Sequence, residues 1–191
     1  MRNTRNEIIE AADVVFNEQG YVSPSIDKLS AAANVSKMTF YKYFSDKENL
    51  ILAVLEKRKS DFISKINNII LEPSTPRNRL KKIFDFYSSW ISSHDFNGCM
   101  FTRAATEYGA TSSLVIQLND KLKTEITTLI ACLLKEALNP ELAERCALTV
   151  MVLIDGAIAV SLCPSLVNDY KPIDLAWLSA KSLILNEYDD F

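Results

Sequence analysis

Two short apolar-periodic runs, residues 26–33 and 37–44, stand only three residues apart, and this spacing restricts the fold more than any other feature of the chain. Each run supplies about two helical turns, whereas isolated helices below about a dozen residues are marginal in water. They must pack on each other and on something longer. The first run carries Ile26, Leu29, Ala32 and Ala33 as its apolar positions, with Ser25 placed to cap it; the second carries Phe40 and Phe44 at i and i+4, with Ser36 as its cap. Between them Asn34 can take a left-handed conformation at lower cost than most residues, so the chain can turn sharply there. The longer support is the run 4–19, where Ile8, Ala11, Ala12, Val15 and Phe16 recur at helical spacing and Gly20 follows as a C-terminal cap.

Downstream the same periodicity continues. Ser45-Asp46-Lys47-Glu48 opens a long helix from 47 to about 71, and Pro73 and Pro76 end it. Further helices are expected at 77–93, 99–108, 113–138, 141–162 and 173–188. With four Gly and six Pro in 191 residues, the composition favours helices over a turn-rich β protein. The expected fold is all-α with about nine helices: a three-helix helix-turn-helix domain at 1–47 followed by a second helical domain at 48–191. Neither an internal repeat nor a flexible linker separates the two, so the division is one of function.

The N-terminus has no apolar run after its arginines, and the apolar stretch 147–163 is interrupted by Asp155 and too short for a bilayer of about 30 Å. A cytoplasmic protein without membrane association is expected. Cys99, Cys132, Cys146 and Cys163 form no C-x-x-C pair and His94 is the only histidine, so neither a metal site nor a cofactor is expected. Cys132 and Cys146 read as small buried hydrophobes, while Cys99 is the one placed to face a pocket. An enzyme is disfavoured too: one histidine, no glycine-rich phosphate loop and no metal cluster leave no catalytic residues to nominate.

Two short helices joined by a tight turn on a preceding helix form the arrangement whose second member enters the DNA major groove. The second run surrounds Phe40 and Phe44 with Lys37, Met38, Thr39, Tyr41, Lys42 and Tyr43, side chains that suit phosphates and base edges better than a core. The formal net charge of −3 argues against indiscriminate binding to nucleic acid. Residues 1–72 carry ten Lys and Arg against ten Asp and Glu, so any DNA contact rests on a local cluster.

The run from Leu29 to Leu50, with Val35-Ser36-Lys37, Thr39-Phe40-Tyr41, Tyr43-Phe44 and Lys47-Glu48 in order, resembles the tetracycline-repressor (TetR) family of transcriptional regulators. Asn34 stands where that family commonly has glycine, and Met38 where it has a small residue or proline. The resemblance implies that Thr39 and Tyr41 meet base edges or nearby phosphates, that Lys37, Met38 and Lys42 border the groove, and that Tyr43 and Lys47 hold the phosphate backbone. Lys47 would also lie at a helix N-terminus, which attracts phosphate. Ser36 either caps its helix or donates to a phosphate, Met38 either meets a thymine methyl or folds back, and Lys28, Arg2 and Arg5 add contacts or are simply solvated.

The resemblance further implies a homodimer through the last two helices, a palindromic double-stranded DNA operator, repression, and a small-molecule effector held by the middle helices. The small residues Ala143, Ala147, Gly156, Ala157, Ala159 and Ser161 permit close helix approach in such a dimer. The stretch from Asp95 to Tyr108 is similar to a glycine-cysteine segment found in many members. Candidate pocket walls are Phe62, Ile66, Phe84, Tyr87, Trp90, Cys99, Phe101, Arg103, Glu107, Tyr108, Leu122 and Ile126, with ordinary core packing as the alternative. Arg103 and Glu107, at i and i+4, read either as an exposed ion pair or as polar groups orienting a ligand in the pocket. The negative charge of the second domain points weakly to an apolar or cationic effector. The rival reading is a DNA-binding regulator controlled by a protein partner, or constitutive.

Overall fold

The computed structural model describes residues 4–167 and 170–187. Among these residues the regular structure is helical throughout: α1 (Thr4–Gln19), α2 (Ile26–Ala32), α3 (Lys37–Tyr43), α4 (Lys47–Ile70), α5 (Pro76–Ile91), α6 (Met100–Tyr108), α7 (Ser113–Leu134), α8 (Pro140–Val160) and α9 (Pro172–Glu187), with a short 3-10 turn at Pro164–Leu166. The all-α architecture therefore matches the sequence expectation. Arg2, read above as part of a basic arm, lies outside the described residues.

The chain packs as two compact units, one comprising residues up to 61 together with 99–121, the other 62–98 together with 122 onward. The boundary expected at residue 47 falls inside the first of these units. In the first unit, Ile8, Ile9, Ala12, Val15 and Phe16 of α1, Leu29 of α2, Phe40 of α3 and Leu50, Ile51, Val54 and Leu55 of α4 are buried. Arg58 of α4 pairs in a two-pronged fashion with Asp13 of α1, Nη2 donating to Oδ2 at 3.0 Å. In α2 the burial is narrower than expected, because Ala32 is exposed and Leu29 and Ser30 are the buried positions.

In the second unit α8 packs on α9, and both meet α5. Small buried residues allow that approach: Ala143, Ala147 and Ala157 on α8, Ala176 and Ala180 on α9. Thr75 caps α5 by accepting from the Asn78 N–H at 3.2 Å, and Asn139 caps α8 by accepting from the Leu142 N–H at 2.9 Å, each followed by proline at the first helical position. α7 stops at Leu134 and not at the expected 138; the chain continues in turns, with the N–H groups of Ala137 and Leu138 both donating to the Leu134 carbonyl, and Asn139 before Pro140 is extended (ψ 155°). Arg79, nearly buried, donates to the Ile70 carbonyl at 2.7 Å and pairs with Glu136, which closes the end of α4 onto the turn after α7. Cys146 is buried as expected, but Cys132 is exposed: it lies on the outer side of α7, next to the buried Ala131.

Candidate nucleic-acid interface

The local chemistry of residues 25–44 builds the site. Ser25 is extended (φ −78°, ψ 160°) and its hydroxyl accepts from the Lys28 N–H at 3.2 Å, starting α2. Asn34 takes φ +53°, the turn expected of it, and among the described residues it is the only non-glycine with positive φ. Ser36 then caps α3, accepting from the Thr39 N–H at 3.0 Å, with its hydroxyl 2.9 Å from Thr39 Oγ1. Ser36 thus fills the capping role expected of it. Phe40 anchors α3 in the core, with Phe44 5.9 Å away between ring centroids and the Arg5 guanidinium over the Phe44 ring at 5.2 Å.

With α3 held by Phe40, its other side chains point outward. Met38 is 83% exposed; Lys37, Tyr41, Lys42 and Tyr43 are exposed and Thr39 half-buried. Lys28 is exposed on α2. Lys37 reaches back to Asp27 of α2 at 2.8 Å, a hydrogen bond that raises its pKa and keeps the ammonium charged. The Lys42 ammonium lies 5.9 Å from the centre of the Tyr43 ring. Residues 26–47 carry four lysines (28, 37, 42, 47) against two aspartates (27, 46), the local excess of positive charge that the whole-chain total conceals.

Lys47 is placed differently from its neighbours. Its ammonium donates to the backbone carbonyls of Val22 (2.9 Å) and Pro24 (3.1 Å), and it lies over the Tyr108 ring at 5.8 Å. Burial lowers its pKa, opposed by the charge of Glu107. The helix N-terminus expected to attract phosphate is already capped: Asp46 accepts from the Asn49 N–H at 2.8 Å, and that bond holds its carboxyl below the usual range. Lys47 therefore supports the loop between α1 and α2 in addition to any phosphate contact.

That loop reveals what the sequence reading missed. Arg103 and Glu107 pair at 2.7 Å, are half-buried, and turn their remaining polar atoms to backbone groups near the α1–α2 loop. Glu107 Oε2 accepts from the backbone N–H of Tyr21 (2.7 Å) and of Val22 (3.3 Å), and Arg103 Nη1 donates to the Asn17 carbonyl at 3.2 Å. Burial works against the charge of Glu107, yet the bonds from Arg103, Tyr21 and Val22 outweigh it and hold the carboxyl below its ordinary pKa. Gly20 turns at φ +76°, and a Cβ there would stand 2.6 Å from both Arg103 Nη2 and Glu107 Oε1. The Tyr21 hydroxyl, its pKa pushed up by burial, donates to the Met100 carbonyl at 3.2 Å. The i, i+4 spacing of Arg103 and Glu107 was visible in sequence; their backbone partners more than eighty residues earlier were not.

The remaining pocket candidates fall in both units. In the first, Phe101 is buried, Tyr108 half-buried and Cys99 stands half-buried at the start of α6. In the second, Ile66, Phe84, Tyr87, Leu122 and Ile126 are buried, while Phe62 and Trp90 are half-buried and share a ring cluster with Tyr87, Phe62 to Tyr87 being 5.4 Å and Phe62 to Trp90 6.1 Å. An open groove between α7 and α8, lined by Thr127, Cys132, Leu148, Met151 and Val152, contains none of the expected residues.

A capped two-helix motif with an exposed, hydroxyl- and ammonium-bearing second helix has the layout of a helix-turn-helix. Residues 8–54 match the family model for bacterial regulatory proteins of the tetR family. The fatty acid metabolism regulator protein of Bacillus subtilis is 27% identical over 187 residues, covering 94% of this chain and 91% of that one. Several other curated relatives align over about half their length, as with the transcriptional activator FasR of Mycolicibacterium smegmatis, 31% identical over 49% of this chain and 42% of its own. Among solved structures, SCO4454, a TetR-family regulator from Streptomyces coelicolor, superposes with a TM-score of 0.85 at 21% identity over 96% of this chain and 95% of that one. FadR of Bacillus subtilis, solved in complex with stearoyl-CoA, superposes with a TM-score of 0.67 at 20% identity, over 94% and 97%. The relatives are transcriptional regulators and not enzymes. Among the described residues, no helix is long and apolar enough to cross a membrane.

Proposed function

We propose that the chain is a dimeric repressor that reads a palindromic operator with α3 and is released from it by an apolar effector bound in the region after residue 47. The observation that carries this reading is the outer face of α3. Met38, Tyr41, Lys42 and Tyr43 are exposed on a seven-residue helix whose cap and anchor, Ser36 and Phe40, are already in place. Thr39 and Tyr41 serve base edges, Lys37, Met38 and Lys42 border the groove, Tyr43 and Lys47 hold phosphate, and Lys28 adds charge from α2. A dimer through α8 and α9 is supported by an exposed aliphatic stripe, Leu148, Val152 and Val160 on α8 with Leu175, Leu178 and Leu183 on α9. At Gly156, in the same stripe, an added Cβ would meet nothing within 4 Å, which leaves space for a second copy.

The half-buried Phe62 and Trp90 beside Tyr87 support an apolar effector, and stearoyl-CoA, which FadR holds, is the first compound to try. A second reading, a regulator without a small-molecule effector, is favoured by one observation: Ile66, Phe101, Leu122 and Ile126 are already buried. The test is selection of sites from random duplex DNA, followed by affinity measurements with Lys42→Ala and Tyr43→Ala across salt concentrations. The reading expects a palindrome to be selected and both variants to bind it more weakly at every salt concentration. Failure of the wild-type protein to select any site would overturn it. Release of that DNA by stearoyl-CoA supports the first effector reading; indifference to a panel of acyl thioesters, apolar compounds and cations supports the second.

A further inference from the structure

The loop from Gly20 to Pro24 makes few hydrogen bonds of its own, because it must leave α1 and reach the Ser25 cap of α2 in five residues. Its polar groups are met from elsewhere in the same unit. Glu107 accepts from the N–H groups of Tyr21 and Val22, Lys47 donates to the carbonyls of Val22 and Pro24, and Arg103 donates to the carbonyl of Asn17 in the last turn of α1. Charge-assisted bonds of this kind are the stronger class, and an N–H left unmet in a half-buried loop costs more than the bond itself contributes. Gly20 allows the approach, since any Cβ there would collide with the Arg103 and Glu107 side chains. Ser112, in the connection after α6, donates to Glu48 at 2.6 Å, a further bond between this region and the start of α4.

We propose that Glu107 and Arg103 are positioning residues for DNA recognition: the pair on α6 clasps the α1–α2 loop and thereby fixes where α2 and α3 are presented, without touching DNA. This rests on the reading of α3 as the recognition helix. It makes α6 a determinant of operator affinity through two side chains, and it gives a specific role to an ion pair that a purely local reading leaves on the surface.

The probe is the palindromic duplex selected by the wild-type protein from random DNA, and the variants are Glu107→Gln, Arg103→Lys and, as an orthogonal break of the same clasp, Gly20→Ala. Affinity is measured per folded molecule, with the folded fraction taken from circular dichroism under the binding conditions. Glu107→Gln is expected to lose about tenfold in affinity, within the usual range of coupling between sites. Its salt dependence stays that of wild type because no phosphate contact is lost. Arg103→Lys, which keeps the charge but not the fork, is expected to lose less, and Gly20→Ala to resemble Glu107→Gln. Wild-type affinity per folded molecule in Glu107→Gln, or in Arg103→Lys and Gly20→Ala should that variant not fold, overturns the proposal, as does a flattened salt slope. If the wild-type protein itself selects no site, the recognition-helix reading has failed instead.

Discussion

Two faces of this molecule are left open to solvent, and their chemistry differs. On α3 the exposed positions are hydroxyl, ammonium and aromatic groups, with Met38 the one apolar non-aromatic side chain; on α8 and α9 they include the aliphatic Leu148, Val152, Leu175 and Leu178, and Val152 is 63% exposed. The supports differ as well. Helix α3 has seven residues, one buried side chain and a serine cap, whereas α8 has 21 residues and buries nine of them. A short, anchored helix can display polar groups to a charged polymer because its neighbours hold it. A long helix that is already well packed has apolar surface left over, and that surface suits another protein chain.

Substitutions that separate the two faces test this contrast, and the largest effect is expected on the aliphatic one. Val152→Glu places a charge in the middle of the stripe; burial of an unpaired carboxylate costs several kcal/mol. The dimer is expected to dissociate at micromolar protein in sedimentation velocity runs while the helical content stays intact. A dimer that persists unchanged would show that the stripe is not the interface. Next comes Gly20→Ala, where left-handed strain and the collision with Arg103 and Glu107 together predict a loss of about 2 kcal/mol in urea unfolding, with no change in dimerisation. Ser36→Ala removes the α3 cap and should cost about 1 kcal/mol, visible as faster hydrogen exchange at Met38 and Thr39 and not in α8.

The smallest expected effect is electrostatic. The Asp46 carboxyl, held low chiefly by the Asn49 N–H, contributes stability that is present above the unfolded-state pKa and lost as pH falls through the lowered folded-state value. Asp46→Asn keeps a capping oxygen but removes the titration, so the acid side of the stability curve should flatten slightly. An acid limb as steep as wild type would assign that stability to other carboxylates.

Much of the recognition side was legible because its determinants are local. Ser25, Asn34 and Ser36 specify caps and a turn within a few residues of themselves, and Phe40 and Phe44 mark the inner face by spacing alone. The end of α7 was missed because its last residues, 135–138, leave the helix for turns that close on Leu133 and Leu134, and their apolar spacing does not mark that change. The exposure of Cys132 was missed because an apolar helix hides which side its neighbours cover. Arg103 and Glu107 were recognisable as a pair but not as a clasp, since their partners are backbone groups distant in sequence. Lys47 was read as a phosphate contact from its place in the motif, and only the folded loop shows that its ammonium also bonds Val22 and Pro24.

The most direct test of the account is a methylation-interference footprint of the full-length protein on the palindrome it selects from random DNA, since guanine N7 reports the major groove. Two patches of interference about one helical turn apart are predicted, both lost with Tyr43→Ala and reduced to a single weak patch with Val152→Glu. A footprint confined to the minor groove, or one that Tyr43→Ala leaves intact, would contradict the claim that α3 reads DNA for a dimer.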